Sequence, residues 1–251
     1  MANSSATTKQ DSPSPAYRRV VVKAGTNVLT SNGARLDRAA MATLVGEIAR
    51  AQHGGAQVVL VTSGAVAAGR EVLTKFNDAR GVGLEQMLAA VGQIRLMHAY
   101  QDMFGENGVV VAQALLTHAD VEGRRGYLNV RNTLEMLLTN DVVPIVNEND
   151  VIETEELSET RFGDNDTLSA LVANIVDADL LLLLSDVGGL YTADPNRDAG
   201  AELIARVERV DAKILAVAEE HKSRSTRGGM QSKLLAALIG TRGDTKSNGM
   251  V

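Results

Sequence analysis

Short apolar runs alternate with longer stretches of helical periodicity along most of the chain. The apolar runs, each of strand length, are Val20–Val22, Gln57–Val61, Val109–Ala112, Val142–Val146 and Leu180–Leu184. In the stretches between and after these runs, apolar residues recur every three or four positions, which predicts helices. The predicted helices begin after Asp37 and cover 85–103, 124–138, 164–176, 211–220 and 230–239. This alternation predicts an α/β fold, a three-layer αβα sandwich around a mostly parallel sheet.

Glycines and small polar residues follow four of the predicted strands. The stretches read KAGTN from Lys23, TSG from Thr62, NEND from Asn147 and SDVGG from Ser185. The carboxyl ends of parallel strands meet at one edge of a sheet, where open α/β sheets bind ligands. Glycine lets backbone N–H groups approach an anion, and a following helix adds its positive end. The pattern predicts a phosphate-binding edge, although the chain has neither a GxxxxGK[ST] motif nor GxGxxG after its first strand.

One stretch, from Asn147 to Ala170, concentrates acidic and amide side chains. Its first cluster, NEND, directly follows an apolar run, and its second, GDND, directly precedes a predicted helix. A strand ending in the first cluster and a helix beginning at the second would bring side chains from both to one rim. The segment 151–162 between them is rich in Glu, Thr and Ser, and we expect it to cover this rim as a hairpin or a mobile flap.

Composition narrows the range of functions. The chain is 45% hydrophobic but only 3% aromatic, so we expect an aliphatic core. A formal net charge of −6 argues against broad nucleic-acid binding, which depends on neutralising phosphates. The absence of cysteine excludes disulfides and thiolate metal sites, and the four scattered histidines suggest no metal site either. No apolar run is long enough to cross a bilayer, so we expect no membrane association.

The chain is expected to hold one domain between two tails. Residues 1–17 are rich in Ser, Thr, Ala and Pro and predict a disordered tail. The domain spans 18–242, and residues 243–251 predict a second disordered tail. Within the domain, we expect a hairpin over Glu202–Val210 and a mobile loop over His221–Gly229.

Two lysines complete the predicted phosphate site. Lys23 lies at the end of the first strand, and Lys233 follows Gly228 and Gly229 at the start of the last helix. Phosphoryl transfer needs positive groups on the transferring oxygens more than covalent help. A carboxylate acceptor would need no general base, since a glutamate side chain with a pKa of about 4.3 is already ionised at neutral pH.

Six motifs, in this order, carry a resemblance to a known family. They are KxGT, VTSGA(V)AAGR, NENDxx, FGDNDxLSA, LLLLSDxxGLYTADP and GGMxxK, and they span roughly residues 18–240. Together they resemble the glutamate 5-kinases of the amino-acid kinase superfamily. The resemblance implies ATP-dependent phosphorylation of the L-glutamate γ-carboxylate, the first step of proline biosynthesis.

The resemblance also assigns roles to residues of this chain. It implies that Lys23 and Lys233 act on the transferring phosphate and that Asp166 organises both amines, with Asp164 either a weaker candidate or a plain helix cap. Ser63, Asp150 and Asn165 would bind glutamate, Asp150 through the α-amino group. The implied ATP contacts are Lys23, Ser185, Asp186, Arg227, Gly228, Gly229, Met230, Gln231, Ser232 and Lys233.

Further expectations follow from the same resemblance. Mg²⁺ would bridge the ATP phosphates through phosphate oxygens and water, with no metal ligand from the protein. Proline would be a feedback inhibitor at or near the glutamate site. We expect a cytoplasmic protein that forms a homo-oligomer.

Several interpretations remain open at this stage. The chain ends soon after the GGMxxK helix, so we expect a fold that is truncated at its C-terminal end, without the PUA domain that many members carry. A truncated regulatory module that binds glutamate or proline without catalysis is one alternative, and another carboxylate or phosphate kinase of the same fold is a second. Taken singly, Ser63 and Asp166 could serve only as helix-end residues, and Lys233 could be an ordinary surface lysine.

Overall fold

A computed structural model describes residues 15–76, 81–152, 165–195, 197–220 and 229–241. Within these ranges, five strands form one sheet in which all neighbours run parallel. The strands are β1 (Arg19–Ala24), β2 (Gln57–Thr62), β3 (Val110–Leu116), β4 (Val142–Glu148) and β5 (Leu180–Leu184). Their order across the sheet is β3-β4-β2-β1-β5.

Helices cover both faces of this sheet. The first face carries α1 (Thr26–Thr30), α2 (Arg38–His53), α3 (Ala65–Val72) and α4 (Val82–Glu106). The second face carries α5 (His118–Glu122), α6 (Arg124–Thr139), α7 (Asn165–Ile175) and α9 (Met230–Gly240), and α8 (Ala212–Glu220) lies beside α9. The predicted αβα architecture is therefore confirmed.

The two apolar cores follow from alternation along the strands. Val58 and Leu60 of β2 face the first helix layer, whereas Val59 and Val61 face the second. All four side chains are at most 2% exposed. Because successive residues of a strand point to opposite faces, an apolar run without polar interruptions feeds both cores at once.

The longer predicted elements are confirmed, several of them to within a few residues. Asp37 caps α2 as expected, since its carboxylate accepts hydrogen bonds from two backbone N–H groups in the first turn. The short helices α1, α3 and α5 were not predicted. The hairpin expected over Glu202–Val210 is wrong: Leu203 instead forms an isolated antiparallel bridge with Tyr191. Whether a short strand forms depends on the strand with which it pairs, and the local sequence pattern does not identify that partner.

Some predictions fall outside the described residues. They are the two tails apart from residues 15–17, the covering segment apart from residues 151 and 152, and the loop of residues 221–228. Of the described helices, none combines the length and the apolarity that crossing a membrane requires.

Candidate active site

A cleft opens at the carboxyl ends of β1, β2, β4 and β5. Residues at or just after the ends of these four strands line it, together with one residue from α7 and one from α9: Lys23, Gly25, Thr26, Asn27, Val28, Ser63, Gly64, Ala65, Val66, Asn147, Glu148, Asp150, Asn165, Leu184, Ser185, Asp186 and Lys233. Asn147, Glu148 and Asp150 of the NEND cluster and Asn165 of the GDND cluster therefore line the same cleft.

Lys23 reaches the floor of the cleft because of its position in β1. It shares a strand face with Val21, which packs in the core beneath α7 and α9. Asp166, in the first turn of α7, is fully buried on that side. The Lys23 Nζ lies 2.6 Å from Asp166 Oδ1, and the lysine side chain is only 5% exposed. Strand alternation thus points the amine at the carboxylate.

The second amine comes from the opposite direction, on α9. Lys233 Nζ donates to Asp166 Oδ2 at 3.0 Å, and the Ser232 hydroxyl donates to the same oxygen at 2.7 Å. Both residues lie in the first turn of α9, which begins after Gly229. Asp166 therefore joins β1, α7 and α9 at one point, with one amine on each carboxylate oxygen.

The surroundings of Asp166 keep it ionised. Burial on its own raises the pKa of a carboxyl group, because a buried charge loses its hydration. Here the charges of Lys23 and Lys233, with hydrogen bonds from Lys23 and Ser232, outweigh burial and hold the pKa of Asp166 below its ordinary value. A carboxylate paired in this way orients cations and has no tendency to accept a proton at neutral pH.

Gly25 leaves room for the Lys23 amine. A Cβ atom at this position would lie 3.0 Å from Lys23 Nζ. The glycine precedes the short helix α1, and with Thr26 and Asn27 it forms the cleft wall next to the amine. Because glycine has no side chain, an anion can come close to the ammonium group at this position.

Amide and hydroxyl groups form the opposite wall. The Asn165 Nδ2 donates to Ser63 Oγ at 2.8 Å and to Asn147 Oδ1 at 3.2 Å. Glu148, the last residue of β4, and Asp150, just after it, also line the cleft. The three residues predicted to bind glutamate, Ser63, Asp150 and Asn165, thus all line one cleft.

The residues predicted for ATP are only partly gathered at the cleft. Ser185 and Asp186 line it, and Asp186 Oδ2 accepts a hydrogen bond from Asn27 Nδ2 at 3.2 Å. Gly229, Met230 and Gln231 do not line it, and Met230 packs instead in a small apolar cluster with Leu190. Asp164, Arg227 and Gly228 lie outside the described residues.

Two residues at the site were not assigned a role from the sequence. Asn147 was predicted only as a member of the NEND cluster, with no role of its own, yet it is 2% exposed and lies at the centre of the amide wall. Gln93 of α4 accepts a hydrogen bond from Asn147 Nδ2 at 2.9 Å. Asn147 carried a usable signal, a polar residue on the apolar face of a buried strand, whereas Gln93 carried none.

The donor groups present do not form a metal site of their own. In the described part of the chain, there is no cluster of three or more His, Asp or Glu residues that could hold a metal ion. Asp166 is occupied by two ammonium groups and a hydroxyl. The side chains present therefore suit a metal cation that arrives bound to a ligand better than a cation that the protein would bind by itself.

Comparison with known proteins finds relatives of similar sequence over most of this chain. Glutamate 5-kinase from Myxococcus xanthus is 52% identical over 220 residues, which are 88% of this chain and 57% of that protein. Glutamate 5-kinase from Dehalococcoides mccartyi is 44% identical over 90% of this chain and 60% of its own length, and that from Shigella flexneri is 47% identical over 89% and 60%. This chain thus spans about 60% of the length of these relatives.

Structural comparison gives the same fold at lower sequence identity. The crystal structure of UMP kinase from Bacillus anthracis matches with a TM-score of 0.55 and 17% identity, covering 88% of this chain and 83% of that one. The sequence profile of the amino acid kinase family matches residues 18–246, which include every described strand and helix. The chain belongs to the amino acid kinase family.

Proposed function

We propose that this chain phosphorylates the γ-carboxylate of L-glutamate with ATP, giving L-glutamyl 5-phosphate and ADP in the first step of proline biosynthesis. The observation that carries the proposal is the buried cluster of Lys23, Asp166 and Lys233 at the floor of a cleft with a polar amide wall. The similarity to relatives named glutamate 5-kinase over 88–90% of this chain supports the choice of acceptor.

The chemistry needs positive charge rather than a base. A γ-carboxylate oxygen attacks the γ-phosphorus with its own electron pair, and the bond from that phosphorus to the oxygen bridging to the β-phosphate breaks. ADP leaves with the bridging oxygen, and no proton is transferred. Negative charge spreads over the oxygens of the transferring group in the transition state, so groups that neutralise it lower the barrier.

Lys23 and Lys233 would supply that neutralisation. Both amines are held against Asp166, at 2.6 Å and 3.0 Å from its two oxygens, so they are oriented before substrate binds. An ammonium group fixed in advance does not have to reorganise during the reaction. Asp166 is then a positioning carboxylate, and its lowered pKa suits that role.

Glutamate would bind along the amide wall. Asp150, which lines the cleft, would offer a carboxylate to the α-ammonium group, and Ser63 is hydrogen-bonded to Asn165, which directly precedes the lysine-paired Asp166. This orientation directs the γ-carboxylate towards the floor. We also propose that proline, which carries the same amino and carboxyl groups, inhibits by binding at this wall.

ATP would bind on the side of β5 and α9, where Ser185 and Asp186 line the cleft. Mg²⁺ bound to the nucleotide would supply further positive charge on the phosphate oxygens, held mainly by the phosphates and by water. The first turn of α9 adds the positive end of a helix beside Lys233. We propose that the reaction takes place in the cytoplasm and that the protein acts as a homo-oligomer.

The test is formation of the acyl phosphate, trapped with hydroxylamine as a hydroxamate. Wild-type protein should form the hydroxamate only with both ATP and glutamate. Lys233→Met, which keeps most of the apolar stem, should lower kcat by about 100-fold or more, with a much smaller effect on KM for glutamate. Lys213→Met is the matched control, because Lys213 is exposed on α8, and it should leave kcat unchanged.

Two results would contradict the proposal. If wild-type protein gave no hydroxamate with glutamate but gave a product with another acid in a substrate panel, the acceptor would be wrong. If calorimetry detected glutamate or proline binding and no ATP binding, the chain would be a regulatory module rather than an enzyme.

A further inference from the structure

Gln93 contacts the amide wall from outside the cleft. It lies on α4, in the helix layer behind the wall, and is not among the residues that line the cleft. Its Oε1 accepts a hydrogen bond from Asn147 Nδ2 at 2.9 Å. Since Asn147 also bonds Asn165, which bonds Ser63, one continuous set of hydrogen bonds joins α4 to the cleft.

The direction of every bond in this set is fixed by one backbone group. The backbone N–H of Glu148 donates to Asn147 Oδ1 at 2.9 Å. A backbone N–H can only donate, so the atom that faces it must be the oxygen of the Asn147 amide. The Asn147 Nδ2 then faces Gln93, which must present its oxygen, and Asn147 Oδ1 also accepts from Asn165.

This direction determines what Ser63 offers to a ligand. Both amide hydrogens of Asn165 are used, one on Asn147 and one on Ser63 Oγ. Ser63 Oγ therefore accepts from Asn165, and its own hydrogen remains available to donate. Because Ser63 lines the cleft, its hydroxyl is set as a donor for a carboxylate oxygen.

Asn147 sets the orientation of the Gln93 side-chain amide. Gln93 Nε2 is buried and has no hydrogen-bond partner among the described residues. A buried amide donor without a partner carries a free-energy cost. Turning the amide would not remove that cost, since it would leave the oxygen without a partner and place two N–H groups face to face, so Gln93 keeps its oxygen towards Asn147.

Close packing holds Gln93 at this depth. Its neighbour Gly92 is in backbone contact with α3, since a Cβ atom there would overlap the carbonyl oxygen of Ala65. Two turns further along α4, the Tyr100 hydroxyl shares a hydrogen bond of 2.8 Å with Thr62 of β2, and both residues are fully buried. The helix therefore has little freedom to move relative to the wall.

We propose that Gln93 is a positioning residue for the acid substrate. By accepting from Asn147, it holds Asn147 and Asn165 in the orientation that leaves the Ser63 hydroxyl as a donor to the substrate carboxylate. This inference rests on the proposed function, in that glutamate is taken as the acid. Gln93 has no proposed contact with ATP, so substituting it should affect binding of the acid substrate alone.

The test compares Gln93→Met with Gln101→Met, the same substitution at an exposed position of the same helix. Gln93→Met removes the acceptor at similar size, and we expect KM for glutamate to rise about tenfold while KM for ATP changes less than twofold, since one hydrogen bond is worth about a factor of ten. Gln93→Glu retains an oxygen acceptor and should restore much of the lost affinity. Gln101→Met should leave both constants unchanged.

A readout independent of activity separates this inference from the proposed function. In protein with ¹⁵N-labelled asparagine, the side-chain amide signals of Asn147 and Asn165 should shift in Gln93→Met and stay in place in Gln101→Met. If wild-type protein did not phosphorylate glutamate but these signals shifted, the proposed function would fall and the positioning role would stand. Unmoved signals would overturn the positioning role, as would an unchanged KM for glutamate or an equal rise in both KM values together with a lower melting temperature.

Discussion

At the scale of single residues, Asp166 carries the most interactions at the site. Its carboxylate is fully buried and meets two ammonium groups, neither of which has more than a tenth of its side chain exposed. Removing one partner from a buried ion pair typically costs about 3–5 kcal/mol, because the remaining charge is left without compensation. Asp166 therefore matters for stability as well as for the orientation of Lys23 and Lys233.

The first residue-scale prediction concerns Asp166→Asn and its dependence on pH. At neutral pH the variant should lose about 3–5 kcal/mol in free energy of unfolding, because two buried amines lose their counter-charge. The folded-state pKa of Asp166 is lowered, so the stability it provides is fully present above the pKa of an unfolded aspartate, about 3.9. That stability is lost as the pH falls through the lower folded-state value.

Urea unfolding of both proteins between pH 3 and pH 7 measures this difference. The gap between wild type and Asp166→Asn should stay constant down to about pH 4 and narrow only below it. Asp177→Asn is the matched control, because Asp177 forms an exposed ion pair with Arg131 and should contribute less than about 1 kcal/mol. Equal losses of unfolding free energy in the two variants would contradict the prediction that the buried cluster stabilises the protein more than the exposed ion pair does.

At the scale of elements, alternation along the strands distributes the site between the two faces of the sheet. Lys23 of β1 faces α7 and α9, together with Val21. Asn147 of β4 faces α4, together with Ile145. The phosphate end of the site is therefore built from one helix layer, and the amide wall is supported by the other.

The element-scale prediction concerns Gly92, where α4 contacts α3. An added Cβ atom would overlap the backbone of Ala65 and crowd the backbone N–H of Gly69. Backbone atoms cannot turn away as a side chain can, so Gly92→Ala should destabilise the protein by about 3 kcal/mol. Because Gln93 follows directly, KM for glutamate should rise as well, and unfolding and kinetic measurements on one preparation check both effects.

Gly46 provides the control for this prediction. It lies in the middle of α2, and a Cβ atom there would have nothing within 4 Å. Gly46→Ala should therefore stabilise the protein by about 0.5–1 kcal/mol through helix propensity alone. If Gly92→Ala also stabilised the protein, the close approach of α3 and α4 would be refuted.

At the scale of the whole molecule, the cleft lies between the two helix layers, and its two ends are built from different parts of the chain. The ends of β2 and β4 with the start of α7 form one side, and the end of β5 with the start of α9 forms the other. A formal charge of −6 coexists with two buried cations at the meeting point. The cluster of Lys23, Lys233 and Asp166 joins two positive groups to one negative group, so its formal charge is opposite in sign to the net charge of the molecule.

The whole-molecule prediction concerns backbone hydrogen exchange. A ligand that binds only the folded structure slows hydrogen exchange at its contacts, because it opposes local unfolding there. Glutamate alone should protect residues 147–150 and the start of α7, whereas the nucleotide alone should protect residues 185–189 and the start of α9. The first turns of α2, away from the cleft, should be unaffected by either ligand. One shared pattern of protection for both ligands would contradict the division of the cleft.

Much of the architecture was accessible from local sequence. Leu180–Leu184 is a strand with the predicted bounds, and Asp37 caps α2 as predicted. Apolar runs and capping residues act through neighbours in the chain, so their effect can be recognised without a fold. The motif resemblance likewise brought Lys23, Asp166 and Lys233 forward as a group before any distance was known.

The features that were missed depend on contacts between distant parts of the chain. The five residues of α1 and of α5 are too few to show helical periodicity, and Leu203 finds its partner in Tyr191 rather than in a hairpin. Gln93 and Asn147 are 54 positions apart, and their hydrogen bond exists only because α4 packs behind β4.

The sequence by itself determined the class of fold and the chemical groups available at the candidate site, because both are properties of local pattern and residue type. Only the tertiary structure decided which groups meet. It placed one amine on each oxygen of Asp166 and set the direction of the amide hydrogen bonds that end at Ser63. The physical reason is that pairing and hydrogen-bond direction depend on distances between strands and helices, and those distances do not exist until the sheet and its two helix layers have assembled.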